Sequence, residues 1–550
     1  MISSKKPFKI LILFLVSLFY LSIGMTYCVM KYDEGLVAYG ALRILHGDVP
    51  YRDFFSSYMP ACFYFLAFVF KVFGTTLLNE RIWSIVGQLL MTSMVFFIGR
   101  TLYSELLAIL AWLIAVVWVG YTRIWGYPIP WAVFFSLASI LFFLRFLNDK
   151  KNRTLFLAGV FNGIATTFRQ DLGFYAFLTE LVVLVLFMMT NLKNEEKSYH
   201  KKTFFSVLTY CLGTGAVLLP VFIYFLKVVG WRDLEFNLIT YALKIYPKVR
   251  NLPFPLFSWV HGLGLASIVL NYLNLIFIFY VYFPILVFVT TSMMLLSKIR
   301  QDAFCFKNQS LWAVFTILFL GVTFFNGARI RVDSVHVIPM MIPAIILFFW
   351  MINQFLIHKK KLALRLSVLL LVFFSFFPIL RKIFYDGFLF KDDYKYAMTI
   401  DRGKGINHRD SNYENVIKYV QSKVPLNERI FVGNLEMDRI VLNDVLFYFL
   451  ADRHSATKYH ELLPGLATEE NIQKTIIGEI KKNNVHYLVL WNYYKKEPNE
   501  SRKKGSKILD RYIRNNFVLD KQFDDYTVLR RNNRNDRSNS FVNVNYYSQF

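Results

Sequence analysis

"VHVIPMMIPAIILFFWMINQFLI", residues 335 to 357, runs for 23 residues without an Asp, Glu, Lys or Arg. Coiled as a helix it is about 34 Å long, enough for the ~30 Å hydrocarbon layer of a bilayer. Ten further apolar runs surround it: Phe8 to Met30, Ile82 to Gly99, Leu106 to Val119, Trp131 to Leu144, Leu155 to Phe168, Leu172 to Asn191, Phe204 to Leu226, Leu273 to Ser297, Leu311 to Asn326 and Leu362 to Leu380. The shorter ones reach spanning length with their polar flanks. Glu180 is the one acid inside its run, so that helix faces protein there and answers a buried cation.

The whole chain agrees with its runs. Hydrophobic residues make up 56% and charged residues only 18%, too apolar for a soluble chain of 550 residues. The expected fold is mainly α: a polytopic transmembrane bundle of eleven spans, with interfacial helices in the first outer loop and an extracytoplasmic α/β domain at the C-terminus. Lys5, Lys6 and Lys9 precede a first run that is too long for a cleaved signal peptide and has no small-x-small site after it, so it reads as an anchor.

A net charge of +25 on a soluble protein would point to nucleic acid. Its distribution points elsewhere. With Met1 inside, the inner segments hold 18 Lys and Arg in 53 residues and the outer segments hold 13 in 117, as the positive-inside rule requires. An odd number of spans then puts the C-terminal region outside, on a cell-membrane protein. Cys28, Cys62, Cys211 and Cys305 are scattered and form no disulfide framework or zinc spacing.

Residues 1–380 form the membrane domain in this reading, 381–531 an α/β domain and 532–550 a disordered tail rich in Asn, Arg and Ser. In the first outer loop, Glu34 to Leu45 and Ala61 to Phe73 suit helices lying along the membrane surface. The second, Gly230 to Asn271, carries Trp231, Tyr241, Tyr246, Trp259 and three prolines, a composition equally suited to a lid and to a passive interfacial belt. Arg429 to Gly433 and Val485 to Trp491 read as short buried strands, with helices at Asn412 to Lys423 and Glu469 to Asn483. No internal repeat is evident.

Asp33 and Glu34 follow the first span directly. Low dielectric nearby disfavours two ionised carboxylates, which asks for a reason. One is capping, with Asp33 as N-cap of a helix that begins at Glu34. The other is general-base chemistry on an acceptor hydroxyl in glycosyl transfer, where the departing phosphate needs a cation and no acid. On spacing alone the two readings are equal.

The stretch "YDEGLVAYGALRILHGDVPYRDFFSSYMPACFYFLAFVFKVFGTTLLNERIWSI", residues 32 to 85, resembles the first outer loop of the GT-C glycosyltransferase superfamily, in its protein mannosyltransferase and aminoarabinose transferase branch. The matching positions are Asp33, Glu34, Gly47, Asp48, Pro60, Gly74 and Arg81. The resemblance implies a polyprenyl-phosphate sugar donor and Asp33 as the catalytic carboxylate, with Glu34 beside it, and it tips the balance from capping to catalysis. The chain departs from the branch at Tyr58-Met59-Pro60, where the aminoarabinose enzymes have Lys-Pro-Pro, so another cation must hold the phosphate or that donor is excluded. "TKYHELLPGLATEENIQKTIIGEI", from Thr457, also looks like the C-terminal part of bacterial relatives, and carries kinship without a mechanism.

Two Arg-x-Asp pairs sit at outer helix ends, Arg169 with Asp171 and Arg331 with Asp333, the second joined by Arg329 and His336. Guanidinium groups suit a donor phosphate, so Arg329, Arg331 and Arg169 are its expected ligands, with Asp171, Asp333 and His336 near the substrate. The alternative is an ion pair that fixes helix ends, which weighs more for the 169 pair than for position 331, where two cations face one carboxylate. Arg52-Asp53 is open between substrate contact and a local ion pair, and His46 reads as a solvated imidazole. No zinc cluster and no Gly-rich phosphate loop occur, which leaves no cofactor and no required metal expected. Expected partners are the lipid-linked donor, an acceptor lipid, glycan or protein, and the bilayer. A transporter or flippase of lipid-linked sugars, and a lipid-linked glycan polymerase or ligase, are the rival functions.

Overall fold

The computed structural model describes residues 5–122, 125–191, 196–262, 264–301, 309–389, 395–409, 411–493 and 504–532. The tail expected over 532–550 lies outside them from 533 onward, as does Cys305. Each of the eleven apolar runs is a helix: α1 (Lys5–Ser22), α4 (Leu77–Gly99), α5 (Glu105–Tyr121), α6 (Ile129–Asp149), α7 (Asn152–Phe168), α8 (Gln170–Asn191), α9 (Glu196–Val228), α12 (Leu265–Gln301), α13 (Gln309–Ala328), α14 (Ile338–Ile357) and α15 (Lys361–Leu380). Eight are long and apolar enough to cross a membrane, while α1, α5 and α7 fall short of that length. The protein is a multi-pass membrane protein.

Helix starts follow local chemistry. The Thr76 hydroxyl accepts the Asn79 amide at α4, and Ser104 accepts that of Leu107 at α5. Helix α1 ends at Ser22, short of its apolar run, because Gly24 turns with φ +77° and Tyr27 then bridges to Asn407. Helix α4 is central, with 78% of its apolar window buried, whereas α9 and α15 bury 17% and turn Leu212, Leu219, Leu369 and Phe373 outward. Glu180 is buried, as its position in α8 requires, but its partner is the neutral Ser139 hydroxyl at 2.7 Å rather than a cation.

Helices α2 (Asp33–Leu45) and α3 (Ala61–Phe73) lie in the first loop. Only α3 keeps an exposed apolar face, at Phe68, Val72 and Phe73. Helix α2 is covered instead: Glu34 through Arg43 are all buried, because the helix Leu446–Ala451 of the C-terminal region packs on it. A Cβ on Gly35 would stand 2.1 Å from the Leu446 amide nitrogen, so this contact admits no side chain.

The C-terminal region holds a two-stranded pair, β1 (Tyr396–Ala397) and β2 (Asn407–His408), and a five-stranded sheet of order β4-β3-β5-β7-β6, with β3 (Arg429–Asn434), β4 (His454–Ser455), β5 (Tyr487–Trp491), β6 (Phe517–Phe523) and β7 (Tyr526–Arg531). The two strands read from sequence, β3 and β5, are parallel neighbours. The second loop forms helical turns over α10 (Trp231–Glu235), Phe236–Ile245 and α11 (Tyr246–Val249). It also meets the first loop and the C-terminal region, through Ser56 to Asn237 at 3.0 Å and Lys458 to Asp233 at 3.0 Å. The segments grouped as outer by charge therefore gather at one end of the bundle.

Candidate active site

Asp33 opens α2, and Tyr32, not Asp33, is the N-cap residue, with no side-chain capping bond. The capping account of Asp33 is thereby excluded. Its carboxylate takes a hydrogen bond from the Tyr127 hydroxyl and feels the charges of Arg250, Asp333 and His336. Burial lifts the carboxyl above its ordinary value, and Tyr127 and Arg250 oppose the rise only in part.

Tyr127 is delivered by a tight corner. The Gly126 amide donates to Glu80 Oε1 at 2.7 Å. Gly126 has φ +70°, and a Cβ there would stand 2.3 Å from the Asp33 carbonyl oxygen. Only glycine meets both demands.

Glu34 faces the other way. One residue turns a helix by roughly 100°, and this rotation carries Glu34 into the protein, where Oε1 meets Arg81 Nε at 2.6 Å with both side chains fully buried. Oε2 accepts the Met30 amide at 2.7 Å and Arg81 Nη2 at 3.0 Å. The structure does not bring Glu34 to the side of Asp33: both of its oxygens are held in a buried ion pair. Of the positions that carried the family resemblance, Arg81 is the partner of Glu34, Asp48 pairs with Arg43 at 2.6 Å, Gly47 has φ +90° and Pro60 precedes the first residue of α3.

The two Arg-x-Asp corners converge on the same recess. Arg169 grips Asp171 through two hydrogen bonds of 2.9 and 2.7 Å; Arg169 lies near Tyr58, and Asp171 near His336. At the other corner Arg331 Nε meets Asp333 Oδ2 at 2.9 Å, while Asp333 Oδ1 binds His336 Nδ1 at 2.8 Å. The second partner of Asp333 is thus His336, not Arg329. Against the push of burial, His336 and Arg331 hold the Asp333 carboxyl well below the usual range. Asp171, Asp333 and His336 are 27%, 30% and 15% exposed, so solvent reaches them inside the fold.

Arg329 separates from Arg331. It is exposed and lines a cavity of about 510 Å³ with Pro247, Asn251 to Phe254 and Ile330. Arg52 and Asp53 form an exposed pair at 2.7 Å, and Asp53 Oδ2 also accepts the Val49 amide, so they brace the loop and do not join the recess. His46 is exposed, as a solvated imidazole would be, with its ring 4.5 Å from that of His454. Among the described residues no three His, Cys, Asp or Glu side chains form a metal-holding group.

Besides Tyr127, three groups in the recess escaped the sequence reading. Arg250 comes from the second loop, and Arg331 Nη1 donates to its carbonyl at 2.8 Å. Tyr246, from the same loop, neighbours Arg331, Arg250 and Arg169. Glu461 comes from the C-terminal region and accepts the Tyr32 hydroxyl at 2.6 Å. Burial lifts its carboxyl to about 7, against that hydrogen bond and Arg250, and with a further push from Asp33. Tyr58, standing where the aminoarabinose branch has lysine, lies near Asp33, Arg169 and Glu461.

The crystal structure of ArnT from Cupriavidus metallidurans bound to undecaprenyl phosphate superposes over 95% of this chain and 98% of its own, at a TM-score of 0.53 and 13% identity. This chain therefore shares the fold of ArnT. The apo state of ArnT matches this fold at 0.50 and 13% identity, over 96% of this chain and 98% of that one. An Archaeoglobus fulgidus oligosaccharyltransferase, AglB, in complex with an inhibitory peptide and a dolichol-phosphate, gives 0.49 at 12% identity over 89% and 70%. Residues 56–228 match the family described as dolichyl-phosphate-mannose-protein mannosyltransferase. No curated protein matches in sequence.

Proposed function

We propose that the protein is a membrane glycosyltransferase that moves a sugar from a polyprenyl-phosphate donor to an acceptor hydroxyl. The observation that carries this reading is the meeting of Asp33 with Arg250 and the Asp333–His336 corner in one recess, at the end of the bundle where the outer segments gather. The mannosyltransferase family match and the undecaprenyl phosphate bound by ArnT support a lipid-phosphate donor. The positive-inside bias supports an extracytoplasmic recess on a bacterial cell membrane, with the N-terminus inside and residues 381–531 outside.

Asp33 takes the acceptor proton as the hydroxyl oxygen bonds to the anomeric carbon. The bond from that carbon to the phosphate oxygen breaks on the opposite face, which inverts the centre and releases polyprenyl phosphate as an anion. Arg250, with Arg331 and Arg169 behind their carboxylates, supplies the positive field the anion needs. The roles expected of Arg329, Arg52 and Asp53 give way to these groups, since those three lie outside the recess.

Asp33→Asn keeps the shape and removes the base. In vesicles carrying the full-length protein and a polyprenyl-phosphate sugar, transfer is expected to fall by about 10²–10⁴-fold. Retained activity would remove Asp33 from the reaction.

A further inference from the structure

The stretch from Thr457 to Gly465 belongs to the C-terminal region but threads into the first loop. The Lys458 carbonyl accepts the Phe55 amide at 3.0 Å, and the His460 ring meets Arg43 at 3.2 Å. Buried Asn443 grips both sides of Glu461: its Nδ2 donates to the His460 carbonyl at 2.9 Å, and its Oδ1 accepts the Leu462 amide at 3.0 Å. The backbone around Glu461 is therefore fixed.

Glu461 is only 2% exposed. Oε1 is satisfied by Tyr32, but Oε2 is buried without a hydrogen-bond partner. A buried carboxyl oxygen left open is unfavourable until a donor arrives, and folding alone is better served by an apolar residue there. The side chain feels Arg250 and Asp33, the proposed phosphate ligand and base. Its hydrogen-bond partner Tyr32 directly precedes Asp33 in the chain, so Glu461 borders the recess in which the phosphate and sugar of the donor would lie.

We propose that Glu461 is a specificity-determining residue whose Oε2 accepts a hydrogen bond from a hydroxyl of the sugar carried on the lipid phosphate. This rests on the glycosyltransferase reading, and it gives the C-terminal region a direct part in choosing the donor.

The test uses the full-length protein in lipid nanodiscs, with undecaprenyl phosphate and a panel of undecaprenyl-phosphate hexoses and pentoses as probes. Glu461→Gln keeps an oxygen for Tyr32 and turns the open acceptor into a donor. The native chain is expected to prefer at least one sugar-bearing lipid over the bare phosphate, and the variant to lose about tenfold of that preference while binding the bare phosphate unchanged. A variant that keeps the preference, or that alters only dependence on the acceptor, overturns the proposal and leaves the transferase reading standing. A native chain that binds neither probe defeats both. Should Glu461→Gln fail to fold, Tyr32→Phe unties the carboxyl without removing it, and an unchanged sugar preference there overturns the proposal as well.

Discussion

The two sides of helix α2 are built on opposite electrostatic terms, although they begin with adjacent acids. Behind the helix, Glu34 and Arg81 are fully buried and pair at 2.6 Å, and Arg81 also donates to the Met25 carbonyl at 2.6 Å. In front of it, Asp33 is half-buried among tyrosines and cations, and it has a tyrosine hydroxyl rather than a bidentate guanidinium as its partner. A carboxylate locked in a buried pair cannot release its partner to take a proton without stranding a charge. One whose ionised form is only partly favoured has affinity for a proton to spare. The first arrangement positions the second.

The largest expected effects break this contrast at its two ends. Asp33→Asn is expected to lower transfer by about 10²–10⁴-fold and to leave thermal unfolding of the detergent-solubilised protein unchanged. Glu34→Gln does the reverse: it strands the Arg81 charge and costs about 3–5 kcal/mol of stability, the usual consequence of removing one partner of a buried pair. The measurement is the unfolding midpoint. A Glu34→Gln protein that stays stable but inactive would place Glu34 in the chemistry after all.

Why one side of this helix could be read from sequence and the other could not has a physical basis. The spanning helices are legible because a bilayer imposes length and apolarity on each segment separately. The Asp33-Glu34 pair is legible because acids directly after a span are costly. Which of the two is free is not, since that depends on Arg81, 47 residues away. Glu461 lies 429 residues from Tyr32 and sits in a segment without helical or strand periodicity, so nothing local marks it. Arg250 was hidden in a loop whose Trp, Tyr and Pro content spoke only of an interface. The hairpin of β6 and β7 went unread because its strands, FVLDKQF and YTVLRR, each run from apolar into charged residues without a period-two alternation. The burial of α2 went unread because its cover comes from Leu446 to Ala451.

A smaller effect sharpens how the C-terminal region holds the loop before Asp33. Lys31 Nζ lies 4.5, 4.8 and 4.8 Å from the ring centres of Tyr413, Trp491 and Tyr526, and the Lys31 carbonyl accepts the Leu446 amide at 2.8 Å. Its charge also opposes the rise that burial imposes on Asp444. Lys31→Met fills the same space without the charge and is expected to cost about 1–2 kcal/mol of stability, the scale of a desolvated cation held by aromatic faces. An unfolding midpoint equal to that of the native protein would show that the cage holds shape and not charge.

The smallest effect is a shift along the pH axis, and it probes the front of α2 alone. The Tyr127 hydroxyl donates to the Asp33 carboxylate and so favours its ionised form. Tyr127→Phe keeps the ring and removes the donor. The Asp33 carboxyl then rises further, and because a base works only when ionised, the acid limb of kcat/KM moves to higher pH. At alkaline pH, where Asp33 is ionised in both proteins, the rates should approach one another. A limb that stays in place would mean that Tyr127 does not stabilise the working charge, and a uniform loss at every pH would make it a packing residue of the Gly126 corner. The same profile on Glu34→Gln, corrected for folded protein, should keep the native limb, since the carboxylate behind the helix does not take the proton.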